Sequence, residues 1–184
     1  MKPMETLKNE HGLIRQFLDN LEFAGKRMEE GEKPPREFFD KALKFAREFA
    51  DDYHHIKEEH LMFVRLAQKA AGTMDGQIES LRHQHETGRD HIAAIGAALD
   101  GYEDGNPVKV DQIKESVAAY VPMLRDHIHT EDHLFFPLAE KALSAEEMAQ
   151  LEGEFARARQ KAGEEPFESY HKLVIDMGSM LVHM

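Results

Sequence analysis

HHIKEEHLMF is the sequence at residues 54–63, and a related stretch, HIHTEDHLFF, follows at residues 127–136. In both copies a His precedes a Glu by four residues. On an α-helix two such side chains lie about 40° apart around the axis and one turn apart along it, so that one pair can hold a metal ion. Two pairs on facing helices can hold two ions with the carboxylates between them, as in dinuclear four-helix bundles. The repeat therefore predicts facing helices and a metal site.

Breaks rich in Gly and Pro divide the chain into helices. Four long helices are predicted over about 3–30, 36–71, 75–100 and 109–143. Pro122 and Pro137 are expected kink points in the fourth. A capping box over residues 144–147 opens a fifth helix, and a sixth follows a break near Gly163 and runs to Val182. These features predict an all-α protein, with an up-down-up-down four-helix bundle over residues 1–143 and two additional C-terminal helices over residues 144–184 packed on the bundle.

Composition narrows the function classes. The formal net charge of −12 disfavours nucleic acid and anionic membrane as partners. The 184 residues include no Cys, so disulfides, iron–sulfur clusters and thiol catalysis are excluded, and a metal must be held by His and carboxylate. No apolar run approaches the length of a membrane span and no apolar leader follows Met1, which predicts a cytoplasmic protein. Twelve His residues are many for an ordinary surface.

Helical periodicity predicts which of the His residues face the core. His11 and His85 lie in the middle of apolar stripes on the first and third helices. On the fourth helix, His127 and Glu131 lie in the same apolar stripe. His83 falls on the opposite side of its helix, and His91 falls at the edge of the stripe. One inward His alone is more often a hydrogen-bonded core residue than a ligand. A Glu within an apolar stripe is costly unless a charge compensates it, and a cation would do so.

The second helix carries two apolar stripes, so both of its sides are expected to be covered. Two alternatives remain open for the second side: the fifth and sixth helices, or a second subunit in a homodimer. The repeat places His54 and Glu58 inward, with His55 and Glu59 at the edge of the same face and within reach of the site. The repeated His60 and His133 face away. Taken by themselves, the adjacent charges of Lys57 and Glu58 would be interpreted as solvated surface.

The chain resembles the hemerythrin-like, or HHE cation-binding, domains over roughly its first 143 residues. The resemblance rests on the helix of His11, on residues 54–59, on residues 85–89, and on residues 127–131 followed by Phe136-Pro137. It implies a four-helix bundle around a non-haem centre of two iron ions. In that family the centre is ligated mainly by His and bridged by two carboxylates and an oxo or hydroxo group.

Position by position, the resemblance implies four terminal His ligands and two bridging carboxylates. These are His11, His54, His85, His127, Glu58 and Glu131. The oxygen-carrying members have a second His one turn after the His of the third helix, where this chain has Arg89, and His55 is the hypothetical replacement. They also take their carboxylate from an Asp five residues after the fourth-helix His, a spacing that here matches Asp132 rather than Glu131. Arg89 would instead pair with Glu59 or with a bound anion.

Several functions suit such a centre. The first is binding or sensing of dioxygen, since two ferrous ions can supply two electrons and apolar stripes exclude water. The second is enzymatic reaction with peroxide or a small substrate, with Tyr53, Tyr120 and Glu59 as candidate proton donors. The third is iron or redox sensing through metal-dependent stability. Arg89 and Glu59 favour chemistry on peroxide or nitric oxide over simple carriage. Manganese and zinc also suit a His/carboxylate site.

Overall fold

The computed structural model describes residues 1–69, 72–161 and 166–182 and is helical with no strand in these ranges. The prediction of an all-α protein with six helices is thereby confirmed. The helices, with segments given separately where the winding changes, are α1 (Pro3–Glu29), α2 (Arg36–Lys44, Phe45–His55, Lys57–Met62 and Phe63–Lys69), α3 (Asp75–Glu103), α4 (Pro107–Thr130, Glu131–Phe135 and Phe136–Ala142), α5 (Ala145–Lys161) and α6 (Pro166–Val182). The break predicted near Gly163 and the helix end predicted at Ala71 lie outside the described residues.

Local signals account for most of the helix ends. Gly31 and Gly105, in the turns after α1 and α3, have positive φ angles of 88° and 77°, which glycine adopts at little cost. The connection between α3 and α4 is shorter than predicted, because the side chain of Asn106 accepts a hydrogen bond from the backbone N–H of Val108 and caps α4 at Pro107. The capping box before α5 is confirmed, with Ser144 N–H donating to Glu147 at 2.8 Å.

Both copies of the repeated sequence contain π-helical turns, which were not predicted. In α2 these turns cover Phe45–His55 and Lys57–Met62, and in α4 they cover Glu131–Phe135. A π turn closes its hydrogen bond one residue later than an α turn, so adjacent side chains can share a face, and such turns are frequent at functional sites. The change of phase also explains the 41% exposure of Leu138, which an ideal α-helix would place on the same face as Glu131, seven residues earlier.

Two apolar clusters form the interior of the protein. One contains Ile14, Ile92 and Leu124, and the other contains Leu7 and Leu81. Because His11 lies between Leu7 and Ile14 on α1, and the other helices repeat this order, a polar layer separates the two clusters. Charges and dipoles in that layer interact strongly, since apolar walls on both sides lower the local dielectric constant.

The C-terminal helices pack against the N-terminal ones. Helix α6 lies against α1 and α2, and α5 contacts α1 and the repeat-containing part of α2. The side-chain amide of Asn20 on α1 donates to the carbonyl of Val174 on α6 at 2.8 Å. Of the two coverings considered for the second side of α2, the structure therefore supplies the fifth and sixth helices. Within the described ranges, no helix has the length and apolar character needed to cross a membrane.

Candidate metal centre

Five imidazoles and two carboxylates meet in the polar layer between the apolar clusters. All seven side chains predicted from the sequence are buried there: His11, His54, His55, Glu58, His85, His127 and Glu131. His11 comes from α1, His85 from α3, and the remaining five from the two copies of the repeat on α2 and α4. The structure thus brings the predicted set together in one place, while their binding of metal stays a prediction.

Four of the five imidazole Nε2 atoms lie close to the two carboxylates. His54 and His85 approach Glu58 at 3.4 and 3.5 Å. His11 and His127 approach Glu131 at 3.3 and 3.2 Å. Donor atoms bonded to one ion at about 2.1 Å lie roughly 3.0–3.4 Å apart, depending on the coordination geometry. The four separations, 3.2–3.5 Å, are close to the range expected between ligands of one ion.

The donor atoms divide into two groups that share Glu58. One group contains His55, Glu58, His85 and His127, and the other contains His11, His54, Glu58 and Glu131. Within each group the atoms lie within 4.8 Å of one another. This arrangement offers two adjacent ion positions with a carboxylate between them.

The unsatisfied polar atoms of this cluster fit a cation. Both carboxylate oxygens of Glu58, both of Glu131 and the Nε2 of His11 are buried with no hydrogen-bond partner among the described residues. A buried carboxylate without partners is strongly unfavourable, so it requires either protonation or a positive charge. Metal ions would satisfy these oxygens and accept lone pairs from the imidazoles. The residues present therefore fit a metal site.

Each imidazole is held by a second residue through its other nitrogen. The Nδ1 atoms of His11 and His54 lie 2.8 Å from Asp132 and Glu10. The remaining three Nδ1 partners are Asp51 for His55 at 3.3 Å, Glu59 for His85 at 2.7 Å, and Gln84 for His127 at 2.8 Å. Such partners orient the ring and direct the Nε2 lone pair to the ion.

The carboxylates that orient the imidazoles are themselves paired with cationic side chains. Arg15 pairs with Asp132, and Lys57 donates to Glu10. Arg89 donates to Asp51 and Glu59 at 2.6 and 2.8 Å, and so serves two imidazoles at once. Each orienting carboxylate thus has a cation beside it that favours its ionised form, and an ionised acceptor favours Nδ1–H on the imidazole it contacts.

Electrostatics keeps most of the imidazoles neutral, as metal ligands must be. Burial lowers the pKa of His54 well below its usual value, lowers that of His55, and lowers that of His85 to about 3. For His11 burial alone would lower the pKa, but the hydrogen bond to Asp132 and the nearby Glu131 carboxylate outweigh it and raise the pKa. Three of the rings therefore offer free lone pairs at neutral pH.

The two central carboxylates cannot both carry their charge easily without a cation. Burial, reinforced by the negative charge of Glu131, raises the pKa of Glu58 well above its usual range. Burial acts in the same direction on Glu131, but His127 and His11 outweigh it and lower its pKa. A metal ion between the carboxylates would remove this conflict.

The structure places the residues of the two alternatives that the resemblance left open. His55 lies among the converging donors, whereas Arg89 makes ion pairs outside them. Glu131 lies in the cluster, whereas Asp132 orients His11. In both cases a π turn brings adjacent residues, His54 with His55 and Glu131 with Asp132, to the same buried region.

The interpretation of Lys57 as solvated surface is wrong. Its side chain is fully buried, its ammonium donates to Glu10, and it lies 3.3 Å from the ring centroid of Tyr53. Charge pattern alone suggested a surface position, but the wider π turn directs this side chain inward. The sequence analysis also missed Glu10, although its spacing of three residues from Leu7 and four from Ile14 places it on the inward face of α1.

The His residues expected outside the site are outside it. His60, His83 and His133 are exposed, and His91 is half-buried. Of the two tyrosines considered as proton donors, Tyr53 stacks on Lys57, and burial raises its pKa to about 12. Tyr120 is buried, which also raises its pKa. His183 lies outside the described residues.

Glu59→Gln is expected to weaken metal binding about 10–100-fold, the usual effect of losing an orienting partner. The amide can still accept from His85, but its neutral oxygen no longer favours the orienting Nδ1–H as strongly. Isothermal titration with ferrous or zinc ions measures the change. Glu86→Gln is the matched control, since Glu86 also accepts from Arg89, at 2.6 Å, but is 68% exposed. Equal losses in both variants would contradict the orienting role of Glu59.

The fold and the cluster define a class, that of helical proteins with a buried His/carboxylate cation site. Residues 2–139 match the hemerythrin HHE cation-binding domain. The chain belongs to this family, and the resemblance seen in the sequence is confirmed. The predicted domain boundary at residue 143 stays a prediction.

Three mycobacterial proteins are similar to the chain over nearly its whole length. Two come from Mycobacterium tuberculosis and one from Mycobacterium bovis, and all are described as uncharacterized. Each is 28% identical over 181 residues, which cover 96% of this chain and 69% of the relative. No solved structure matches the chain significantly.

Proposed function

We propose that this protein is a non-haem di-iron protein that binds or reacts with a small oxidant such as dioxygen, peroxide or nitric oxide. The proposal includes an up-down-up-down arrangement of α1–α4 around two oxo- or hydroxo-bridged iron ions, with manganese or zinc as alternatives. It also includes a cytoplasmic location and a small-molecule ligand, in preference to nucleic acid or a membrane. A homodimer remains compatible with it.

One observation carries the proposal: the two donor groups share the Glu58 carboxylate, whose oxygens have no hydrogen-bond partner among the described residues. A site for a single ion would need neither the second group nor the second carboxylate. His-rich donors with carboxylates suit iron among the first-row metals, and the family description names a cation. When bound, two adjacent ferrous ions can supply two electrons to one oxidant.

The chain's own residues would hold and protect such a centre. The five imidazoles bind through Nε2, while Asp51, Glu10, Glu59, Asp132 and Gln84 keep their Nδ1 atoms oriented. The apolar clusters on either side exclude water, which limits loss of a reactive species to solvent. Glu59 is the orienting carboxylate of His85 and is only partly buried, so it connects the site to its surroundings.

An anaerobic titration tests the proposal. Metal-free protein is titrated with ferrous iron, and we expect saturation at two ions per chain. The loaded protein is then mixed with air or with peroxide. A stable, reversible absorption change in air supports oxygen binding, and rapid oxygen evolution from peroxide supports an enzyme. Saturation at one ion, or no uptake, would refute the dinuclear proposal.

A second candidate function is iron or redox sensing. It is favoured by the burial of Glu58 and Glu131, because their unpartnered oxygens make the metal-free fold costly. Loss of metal would then loosen α2 and α4, which carry these residues, and could expose a surface to a partner.

Metal removal is expected to lower the free energy of unfolding by several kcal/mol, because binding energy becomes folding energy at such a site. Differential scanning calorimetry of loaded and chelator-treated protein measures the shift in melting temperature. Re-addition of ferrous iron serves as the control for irreversible damage. Equal melting temperatures with and without metal would contradict a sensing function based on metal-dependent stability.

A further inference from the structure

A cavity of about 250 Å³ lies beside the candidate metal centre, and His55 and His85 form part of its wall. Small or apolar side chains of three helices form much of the remainder. They are Ala46 and Ala50 of α2, Gly88 and Ala93 of α3, and Tyr120 and Leu124 of α4. The cavity reaches the surface at Ala93 and Arg47, which are exposed.

The cavity coincides with the point at which the centre is least covered. Of the five imidazoles, His55 is 7% exposed and the other four are at most 1% exposed. His85 also lines the cavity, and its Nε2 lies 3.5 Å from the unpartnered Oε2 of Glu58. A molecule in the cavity would therefore contact the group formed by His55, Glu58, His85 and His127 before any other part of the centre.

Arg47 lies at the exposed mouth of the cavity, and the polar groups further inside contact one another or neighbouring side chains. The Arg89 guanidinium donates to Asp51, Glu59 and Glu86 at 2.6–2.8 Å. The amide oxygen of Gln84 accepts from His127 Nδ1, and Asp51 contacts His55. Arg89 is thus not available as a receptor for a bound anion. The space left to a ligand is bounded mainly by Ala, Gly, Ile, Leu and Tyr side chains, which favour an uncharged molecule.

The volume limits the size of that molecule. Sites for drug-sized ligands enclose roughly 300–1,000 Å³, and this cavity is smaller. Ala46 and Ala50 on one side and Gly88 and Ala93 on the other leave the space open. A Cβ at Gly88 would lie 3.4 Å from the Tyr120 ring, which shows how closely α3 and α4 approach there.

We propose that this cavity is the entry chamber through which a small uncharged molecule, such as dioxygen or nitric oxide, reaches the His55/His85 end of the centre. The inference rests on the proposed function, because it assigns the route and the ligand class of the same site. It predicts that filling the chamber slows ligand arrival without removing metal.

The test uses two chamber variants and a matched control. Ala93→Phe adds a ring at the exposed mouth, and Ala50→Leu adds bulk to the buried wall. Ala97→Phe makes the same change as Ala93→Phe one turn further along α3, at an exposed position outside the cavity wall. Metal content of every iron-loaded protein is measured first, and it reports on the proposed function independently of the chamber.

Stopped-flow mixing of the ferrous proteins with nitric oxide gives the association rate constant. We expect it to fall at least tenfold in Ala93→Phe or Ala50→Leu and to stay near the wild-type value in Ala97→Phe. Wild-type rates in both chamber variants, at full metal content, would overturn the proposal. An equal decrease in Ala97→Phe would also overturn it, since the effect would not depend on the chamber.

Xenon provides a readout that does not depend on metal chemistry, because apolar cavities bind this gas. Crystals of the wild-type and variant proteins under xenon pressure are expected to show xenon in the chamber of the wild type and of Ala97→Phe, and none there in Ala50→Leu. Absence of xenon from this cavity in the wild type would overturn the proposal of an entry chamber. Xenon in the chamber of a wild type that takes up no iron would refute the proposed function and leave a cavity for uncharged molecules.

Discussion

Glu58→Ala is expected to reduce iron binding from two ions per chain to one or none. Glu58 is the residue common to both donor groups, so its loss removes a ligand from each ion position. The affinity of both positions should fall by more than the roughly 100-fold that marks loss of an orienting partner. Metal analysis after desalting, together with titration of the metal-free variant, measures the effect.

Two further substitutions serve as a comparison and a control for Glu58→Ala. His127→Ala should remove at least one ion, since His127 belongs to one of the groups. His133→Ala should leave both ions in place, although His133 is equally well repeated in the sequence, because its side chain is exposed. If Glu58→Ala retained two ions at wild-type affinity, the shared carboxylate would not be a ligand. Loss of metal in His133→Ala would contradict the assignment of inward and outward faces.

Lys57→Met is expected to destabilise the iron-loaded protein by about 3–5 kcal/mol, the usual cost of removing one partner of a buried ion pair. The Glu10 carboxylate would keep its contact with His54, 2.8 Å from Nδ1, but would lose its compensating cation. Burial already raises the pKa of Glu10, which shows how unfavourable this charge is in its surroundings. Urea unfolding followed by circular dichroism measures the loss.

The double variant Glu10→Gln/Lys57→Met separates charge from packing. The amide introduced by Glu10→Gln would still accept a hydrogen bond from His54 but would carry no charge, so most of the lost stability should return. The matched control is Lys44→Met on the same helix, where Lys44 is 55% exposed and lies 3.9 Å from Glu48. An exposed pair of this kind contributes roughly 0–1 kcal/mol. Equal destabilisation by Lys57→Met and Lys44→Met would contradict a buried ion pair.

The helical repeat identified half of the cluster, and helical phase identified most of the rest. His11 and His85 were placed inward because each interrupts an apolar stripe, and the structure buries both at 0% and 1% exposure. The His55 position depended on more than phase. An ideal α-helix separates adjacent side chains by 100°, which placed His55 at an edge, whereas the π turn brings it beside His54 with ring centroids 5.6 Å apart.

The sequence by itself determined the helices, the family and most of the converging side chains, because amphipathic periodicity and turn signals are local properties of the chain. Only the tertiary structure decided which residues orient the imidazoles and which cations pair with those residues. The pairs Glu10 with Lys57 and His11 with Asp132 join helices that are far apart in sequence, and no local pattern specifies such partners. The π turns are decided at the same level, because an altered backbone hydrogen-bond pattern becomes favourable only when packing and the site compensate it.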